Sequence, residues 1–226
     1  MIAIQGLSKH FGSVAVLHGI TLNLPPESVT VIQGPSGSGK TTLLRIIAGL
    51  ESPDEGEIHI DGKLVTDPAL TVPPHQRGIG FVFQDAALWP HMTVYQNVAF
   101  GLLGQPRRDV ARLVNEVLSS LELTGLARRY ASQISGGQAR RVSIARTLVT
   151  RPKHLLLDEP LTHIHPELKA LLVDLIRQQA EVHGCTVLYV THSPAEAEQL
   201  GGRHLTMTDG RITSVDPVSD DRADDA

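Results

Sequence analysis

Eight consecutive residues have the types and spacing needed to bind phosphate groups. The run Gly34-Pro35-Ser36-Gly37-Ser38-Gly39-Lys40-Thr41 matches the pattern G-x-x-x-x-G-K-[ST]. Glycines let the backbone curl so that N–H groups point at phosphate oxygens, and a helix beginning near Lys40 adds its positive dipole end. In this pattern the lysine bridges the β- and γ-phosphates of a nucleotide, and Thr41 binds magnesium. Thr42 is a further candidate nucleotide contact. A chance match in a chain of this length has a probability on the order of 1%, so a merely flexible glycine turn is a poor alternative.

Two adjacent carboxylates follow an apolar run in the sequence HLLLDEP (154–160). A buried strand ending here would place Asp158 at the carboxyl edge of a sheet, where it can hold magnesium through water. Glu159 could then orient or deprotonate an attacking water. Many strands end in acidic turns, so the pair is weak evidence alone and becomes strong beside the phosphate loop.

A third pattern, His163-Ile164-His165, could bind a metal ion through two imidazoles. No acidic residue or cysteine stands beside the two histidines at ligand spacing. A metal site and an ordinary loop carrying unusual residues therefore remain the two alternatives.

A parallel sheet flanked by helices would position these patterns. The β-branched run 28–34 leads into the phosphate loop, and 40–50 has the pattern of a helix with Gly49 near its end. The apolar runs 154–159 and 185–192 are typical of strands buried on both faces. GEIHIDGKLV (56–65) alternates around Asp61-Gly62, which predicts a hairpin.

Two further stretches place apolar residues at helical spacing. They are Val110, Leu113, Val114, Val117, Leu118 and Leu121 in the segment from Asp109, and Leu168, Leu171, Leu172, Leu175, Ile176 and Val182 further on. We predict a core of residues 1–87 and 151–215, a helical subdomain of about 88–150 inserted into it, and an acidic, disordered tail at 216–226.

The composition is that of an ordinary soluble globular protein, with 226 residues, 41% apolar and 19% charged residues. The net charge of −4 and the lack of a dense basic run do not favour nucleic acid as a partner. The pairs Arg107-Arg108, Arg128-Arg129 and Arg140-Arg141 are interpreted as solvated helix faces. The single cysteine, the absence of an apolar run of eighteen residues and a start without a signal-peptide core lead us to expect cytoplasmic residence and no membrane span.

One short motif identifies a family. Ser135-Gly136-Gly137-Gln138, followed by ARRVSIARTLVTRP, resembles the signature motif of ATP-binding-cassette (ABC) ATPases. A hydroxyl and two glycine amides at a helix N-terminus form an anion site that suits a γ-phosphate. In that family the motif completes the nucleotide site of the opposite subunit in a head-to-tail dimer. The resemblance covers nearly the whole chain and implies a P-loop NTPase core of the α/β class, with a mostly parallel sheet, an N-terminal antiparallel β-subdomain and an inserted helical subdomain.

The resemblance assigns roles to three more residues. Gln84, after GIGFVF, matches the glutamine that touches magnesium and the attacking water. His192, after VLYVT, matches the switch histidine that contacts the γ-phosphate. Phe11 matches the aromatic residue that stacks on adenine, against the alternative of an ordinary core or hairpin aromatic. With Glu159, Gln84 and His192 form the expected catalytic group, and Thr41, Gln84 and Asp158 the expected magnesium site.

The chain departs from the family pattern after Asp158-Glu159-Pro160. There the family usually has the loop S-A-L-D, whereas this chain has Thr162-His163-Ile164-His165. His165 thus replaces the aspartate that helps to relay between the two nucleotide sites. A histidine cannot reproduce a fixed carboxylate, so the departure puts coupling between the sites in doubt rather than nucleotide binding.

The resemblance further implies an ATP- and Mg2+-dependent subunit that powers a multisubunit importer at the cytoplasmic face of a membrane. The expected partners are a second copy or a paralogous ATPase, transmembrane permease subunits and an extracytoplasmic substrate-binding protein. Residues 85–103 resemble the region of importer subunits where a permease docks, with Trp89, Val94, Val98 and Phe100 as an exposed apolar surface. Packing of Trp89 within the subdomain is the alternative.

Other function classes share some of these motifs. An exporter or lipid-extracting complex, or a soluble regulatory ATPase, would share them all, although soluble cassette proteins more often carry two cassettes or coiled coils. A small-molecule kinase would explain residues 34–41 and leave Ser135-Gly136-Gly137-Gln138 unexplained.

Overall fold

This computed structural model describes residues 1–162 and 164–215, which contain ten strands, six α-helices and four short 3-10 helices. The strands are β1 (Ile2–Phe11), β2 (Val14–Leu24), β3 (Val29–Gln33), β4 (Glu55–Ile60), β5 (Lys63–Thr66), β6 (Ile79–Val82), β7 (His154–Asp158), β8 (Thr186–Thr191), β9 (Arg203–Thr208) and β10 (Arg211–Val215). The helices are α1 (Lys40–Ala48), α2 (Val94–Ala99), α3 (Arg107–Ser120), α4 (Gly136–Leu148), α5 (Pro166–Glu181) and α6 (Pro194–Leu200).

The strands form two sheets. One is antiparallel, in the order β2-β1-β4-β5, and the other has the order β10-β9-β3-β8-β7-β6. Within the larger sheet every neighbouring pair except β10 and β9 is parallel. The predicted α/β class, mostly parallel sheet and N-terminal antiparallel sheet are confirmed. Because β3, β8 and β7 are adjacent and parallel, the residues that follow them meet at one edge of the sheet.

The central strands are buried on both faces because helices cover both sides of the sheet. In β7, Leu155 and Leu157 pack into a core shared with α2, α3, α4 and α5, whereas Leu156 packs into a second core shared with α1. β8 divides its side chains between the two cores in the same way. This two-sided burial accounts for the uninterrupted apolar runs that predicted the strands.

The predicted hairpin is confirmed in β4 and β5, which pair antiparallel. Asp61 and Gly62 connect them with φ values of 50° and 78°. Positive φ at both central residues is the geometry of a type I′ turn, for which Asp-Gly is a favoured sequence.

Three helices lie between β6 and β7 in the chain. In α3 the residues Val114 and Leu118 are buried, as the periodicity predicts, and the helix begins at Arg107 rather than at Asp109. The division into a core and a helical subdomain stays a prediction, and residues 216–226 lie outside the described part of the chain. Among the described residues, no helix combines the length and apolar character that a membrane span needs.

The periodicity of α5 is also confirmed, except at its end. Val182 was expected on the apolar face, but it is the C-cap residue and 70% exposed because the helix ends at Glu181.

Candidate active site

The phosphate loop lies between β3 and α1, as predicted. Gly39 is the N-cap residue of α1 with φ of 99°, and no side chain caps this helix. A Cβ atom on Gly34 would lie 2.1 Å from the carbonyl oxygen of Met207, so only glycine fits there. The first turn of α1 therefore presents backbone N–H groups to an anion.

The ammonium group of Lys40 is held against this loop. Its Nζ donates hydrogen bonds to the carbonyl oxygens of Gly34 at 2.9 Å and Pro35 at 2.8 Å, and to Ser38 Oγ at 3.3 Å. Burial lowers the pKa of Lys40, while the carboxylates of Glu159 and Asp158 act in the opposite direction. A cation fixed at the mouth of the loop is suited to phosphate oxygens.

An open cavity of about 420 Å³ lies beside the loop. It is lined by Phe11, Val16, Ser36, Gly37, Gly39, Lys40, Thr41, Thr42, Gln84 and Glu159. All of these except Val16 are predicted site residues, so the fold brings them together. Phe11 is 49% exposed, and the Nζ atom of Lys9 lies 5.1 Å from the centre of its ring. The ring is therefore open to stacking and steadied by a cation.

Two of the three predicted magnesium ligands are in contact. Thr41 Oγ1 donates a hydrogen bond of 3.0 Å to Asp158 Oδ1. Asp158 is 2% exposed, and burial raises its pKa, against the lowering effect of the Thr41 hydroxyl. Gln84 lines the cavity with Thr41, and it lines a second opening with both Thr41 and Asp158. Hydroxyl, carboxylate and amide oxygens are the ligands that Mg2+ prefers, so these residues fit that ion.

The predicted catalytic carboxylate and histidine are paired. His192 Nδ1 lies 3.1 Å from Glu159 Oε2. Glu159 has φ of 44°, a left-handed conformation that is uncommon for a residue with a side chain. The conformation is held by its neighbours, because the Glu159 N–H donates to the Val190 carbonyl at 3.0 Å and the Glu159 carbonyl accepts from Thr162 Oγ1 at 3.1 Å. Strain held in this way is frequent at active sites.

The interpretation of the third basic pair as a solvated face is wrong. Arg140 and Arg141 are buried, whereas the other two pairs are exposed. Arg140 Nη1 donates to the Phe83 carbonyl at 2.6 Å, and Nη2 donates to the Glu159 carbonyl at 3.1 Å. Burial lowers the pKa of Arg140, and nearby acids including Asp158 oppose that shift. Nothing in the sequence of the pair distinguishes it, because its role depends on carbonyl groups far away in the chain.

The signature residues form a separate group at the start of α4. Ser135 is the N-cap residue, its Oγ accepts from the Gln138 N–H, and its own N–H donates to Gln138 Oε1 at 2.9 Å. Ser135 and Gly136 are exposed. None of the residues 135–138 lines the 420 Å³ cavity of the same chain.

The histidine pattern lies only partly within the described residues. His165 is exposed and occupies the N-cap position of α5, with Pro166 as the first residue of the helix. His163 lies outside the described residues. Over the ranges 1–162 and 164–215, no three His, Cys, Asp or Glu side chains are grouped so that they could hold a metal ion. The hypothesis of a metal site that includes His163 stays untested.

The exposed apolar surface at 85–103 is smaller than predicted, and different residues contribute to it. Val94 and Val98 are buried, whereas Phe100 and Leu103 are exposed. The half-buried ring of Trp89 lies 4.3 Å from that of Phe100 and is covered by the guanidinium of Arg146. Trp89 thus packs within the helical region, and the exposed large apolar residues of this segment are Phe100 and Leu103.

Comparison with known proteins gives consistent matches. A family profile described as ABC transporter matches residues 17–162. The Fe(3+) ions import ATP-binding protein FbpC of Escherichia coli K12 is 42% identical over 221 residues, which cover 97% of this chain and 62% of that protein. The sulfate/thiosulfate import ATP-binding protein CysA of Bradyrhizobium diazoefficiens is 43% identical over 225 residues, covering 97% and 64%. The chain thus spans about three fifths of the length of these curated relatives.

Solved structures match the fold over almost the whole chain. The dimeric bacterial ABC transporter cassette MJ0796 has a TM-score of 0.88 and 31% identity, covering 96% of this chain and 99% of that one. A post-hydrolysis state of the same cassette, bound to ADP and Pi, has a TM-score of 0.87. Because the family profile covers more than half of the chain and the cassette is matched along nearly its full length, this protein belongs to the ABC transporter family.

Proposed function

We propose that this chain is the ATP-binding and ATP-hydrolysing subunit of a multisubunit ABC importer. The observation that carries the proposal is that Phe11, Lys40, Thr41 and Glu159 line one cavity. It combines a surface for a base, a cation for phosphates and a carboxylate for water, which together make up the groups that ATP hydrolysis requires.

The nucleotide would be bound by the phosphate loop and the aromatic ring. The N–H groups of the first turn of α1 and the ammonium of Lys40 would bind the phosphate oxygens. The exposed face of Phe11 would stack on adenine. The Lys40 ammonium donates to the loop carbonyls in this structure. When a nucleotide binds, the same ammonium would donate to phosphate oxygens instead.

A magnesium ion would be held by Thr41, Asp158 and Gln84, whose oxygens fit it. Bound there, magnesium would neutralise charge on the β- and γ-phosphate oxygens. The raised pKa of Asp158 reflects a carboxylate that is buried without a full counter-charge, and such a group gains from a nearby cation.

Glu159 is the group best placed to act on water. Its carboxylate would accept a proton from the water that attacks the γ-phosphorus, while the bond from that phosphorus to the bridging oxygen breaks and gives ADP and inorganic phosphate. His192, whose Nδ1 faces Glu159, would present its other ring nitrogen to the γ-phosphate. The Arg140 bond to the Glu159 carbonyl fixes the position from which the carboxylate acts.

A second copy of the chain, or a paralogous ATPase subunit, would complete each site. Ser135 and Gly136 are exposed and lie apart from the cavity of their own chain, so they are free to approach the nucleotide of a partner. The solved cassette with a TM-score of 0.88 is dimeric, which supports this arrangement.

Permease subunits would dock beside Gln84 and the exposed residues Phe83, Phe100 and Leu103. Exposed apolar side chains are suited to contact with a protein partner. The relatives named for Fe(3+) and sulfate import favour import over the alternatives of an exporter, a lipid-extracting complex or a soluble regulatory ATPase. The chain would then work at the cytoplasmic face of the membrane, with an extracytoplasmic substrate-binding protein delivering the cargo.

The proposal is tested by trapping the ATP-bound state. Glu159→Gln should bind Mg-ATP, lose steady-state hydrolysis by about 100-fold or more and double its mass in light scattering when ATP is added. Glu181→Gln, at the exposed end of α5, is the matched control and should behave as the wild type. Absence of an ATP-dependent mass increase counts against the dimer, and phosphate release that requires an added small-molecule acceptor would favour a kinase instead. Co-purification of a membrane protein from native membranes tests the transporter role.

A further inference from the structure

The buried carboxylate of Glu196 is hydrogen-bonded to Thr191, the residue that precedes His192. Glu196, in the first turn of α6, is 6% exposed and lies outside the cavity described above. Its Oε2 accepts hydrogen bonds from the Tyr189 hydroxyl and from Thr191 Oγ1, both at 2.9 Å. Its Oε1 accepts from Lys169 Nζ at 2.7 Å. A buried carboxylate is destabilising unless its oxygens are paired, so these three donors define its place in the fold.

Both chain neighbours of His192 belong to this network. Thr191 Oγ1 accepts from the Ser193 N–H at 2.9 Å, so its own hydroxyl proton is directed to Glu196. Ser193 Oγ in turn accepts from the Glu196 N–H and caps α6. The backbone is therefore fixed on either side of His192, while the imidazole itself remains half exposed and contacts Glu159.

The network also reaches the segment that follows Glu159. Lys169 lies in α5, which begins after the loop that carries His165. Its ion pair with Glu196 ties α5 to the start of α6. The catalytic carboxylate and the switch histidine are thus joined twice, directly through their side chains and indirectly through α5 and Glu196.

We propose that Glu196 is a positioning residue that holds the His192 imidazole at hydrogen-bonding distance from Glu159. The inference rests on the proposed ATPase function. A purely structural role, in which the buried pair only stabilises the packing of α5 on α6, is the competing explanation. It predicts loss of stability but no selective effect on the step in which His192 takes part.

The first test removes the Thr191 hydroxyl, which joins Glu196 to the residue that precedes His192. Thr191→Val should lower kcat for Mg-ATP hydrolysis by about tenfold and leave the KM for ATP within about twofold, because a small misplacement of a catalytic group slows the chemical step. Thr30→Val is the matched control. Thr30 is as buried as Thr191 and lies on the adjacent strand β3, and its Oγ1 has no hydrogen-bond partner within the described chain. An equal loss of kcat in both variants would overturn the proposal.

The second test asks whether Glu196 acts through His192. Glu196→Gln, compared with Glu198→Gln on the exposed side of α6, should slow single-turnover hydrolysis about tenfold in the wild-type background. In a His192→Ala background, Glu196→Gln should slow single-turnover hydrolysis no further, because the imidazole that Glu196 positions is absent. The same slowing in both backgrounds would show a structural role and overturn the proposal. Thr191→Val replaces Glu196→Gln in this cycle if the glutamine variant does not fold.

The outcomes separate this inference from the function on which it rests. If the wild type shows no Mg-dependent hydrolysis, the proposed function fails and the inference fails with it. If the wild type is active and His192→Ala hydrolyses ATP equally fast, the inference fails while the proposed function stands. If the wild type is active and His192→Ala is slow, but the two changes multiply independently, only the positioning role of Glu196 is wrong.

Discussion

His192 Nδ1 lies 3.1 Å from Glu159 Oε2, although the two residues follow different strands, β8 and β7. The strands are adjacent and parallel, and the Glu159 N–H also donates to the Val190 carbonyl at 3.0 Å. The acid and the imidazole are therefore held by the sheet itself and by a direct contact. Such an arrangement favours a carboxylate that keeps one orientation toward a bound γ-phosphate.

Loss of the imidazole should affect the chemical step and spare nucleotide binding. We expect His192→Ala to lower the single-turnover rate of ATP hydrolysis by about 100-fold or more, which is typical for loss of one donor to developing charge. The dissociation constant of Mg-ATP should change by less than about threefold, since the phosphate loop and Lys40 are untouched. His183→Ala, an exposed histidine after α5, is the control, and equal rates in the two variants would contradict the assignment.

Removal of the aromatic ring at Phe11 should weaken binding of the base alone. Stacking on an aromatic side chain is worth about 1–3 kcal/mol per base, so Phe11→Ala should bind Mg-ATP about 5- to 150-fold more weakly. Binding of inorganic triphosphate should be unchanged, because that ligand has no base. Titration of both ligands checks this, with Val14→Ala as the control on the paired strand of the same hairpin. Equal weakening of the two ligands would place Phe11 in the fold rather than in the base site.

The chemical groups of the site were predictable from the sequence because their signals are local. The phosphate loop, the acids after β7 and the helix-capping serine at 135 each depend on a few adjacent residues and on the element that precedes or follows them. Strands β7 and β8 were equally predictable, since apolar runs of this kind are required wherever helices cover both faces of a sheet. The sequence predicted Lys40 after one strand and Asp158 at the carboxyl end of another, whereas the strand order that brings them together comes from the structure.

The features that the sequence did not predict depend on contacts between distant segments. Arg140 is buried because the carbonyl oxygens of Phe83 and Glu159 receive its protons, and no periodicity signals such a pairing. Glu196 has the pattern of an ordinary acidic residue at a helix start, yet three donors from two other elements surround it. Val94 was expected at an exposed surface and is buried. Helical spacing predicts an apolar face, but it does not show whether that face packs against the core or contacts solvent.

The buried carboxylate of Asp158 should reduce the stability of the nucleotide-free chain. Burial raises its pKa above that of an exposed aspartate, so the fold disfavours the ionised form at neutral pH, and the free energy of unfolding recovers as pH falls through the raised pKa. Asp158→Asn should therefore raise Tm at pH 7.5, as replacement of a destabilising active-site group commonly does, while abolishing magnesium-dependent hydrolysis. Asp174→Asn, exposed on α5, is the control. A lower Tm, or a gain that persists at acidic pH, would contradict this account.

The guanidinium of Arg140 should be required both for stability and for the rate of hydrolysis. It bonds to the carbonyl oxygens of Phe83, next to Gln84, and of Glu159, and a lysine cannot donate to both in the same fork geometry. Arg140→Lys loses at least one of these two charged hydrogen bonds, so we expect a loss of about 1–3 kcal/mol in the free energy of unfolding, together with a lower kcat. Chemical denaturation and steady-state hydrolysis measure the two effects, with Arg108→Lys as the exposed control. If Arg140→Lys loses stability and keeps the wild-type kcat at a temperature where it is fully folded, the guanidinium supports the fold without fixing the catalytic carboxylate.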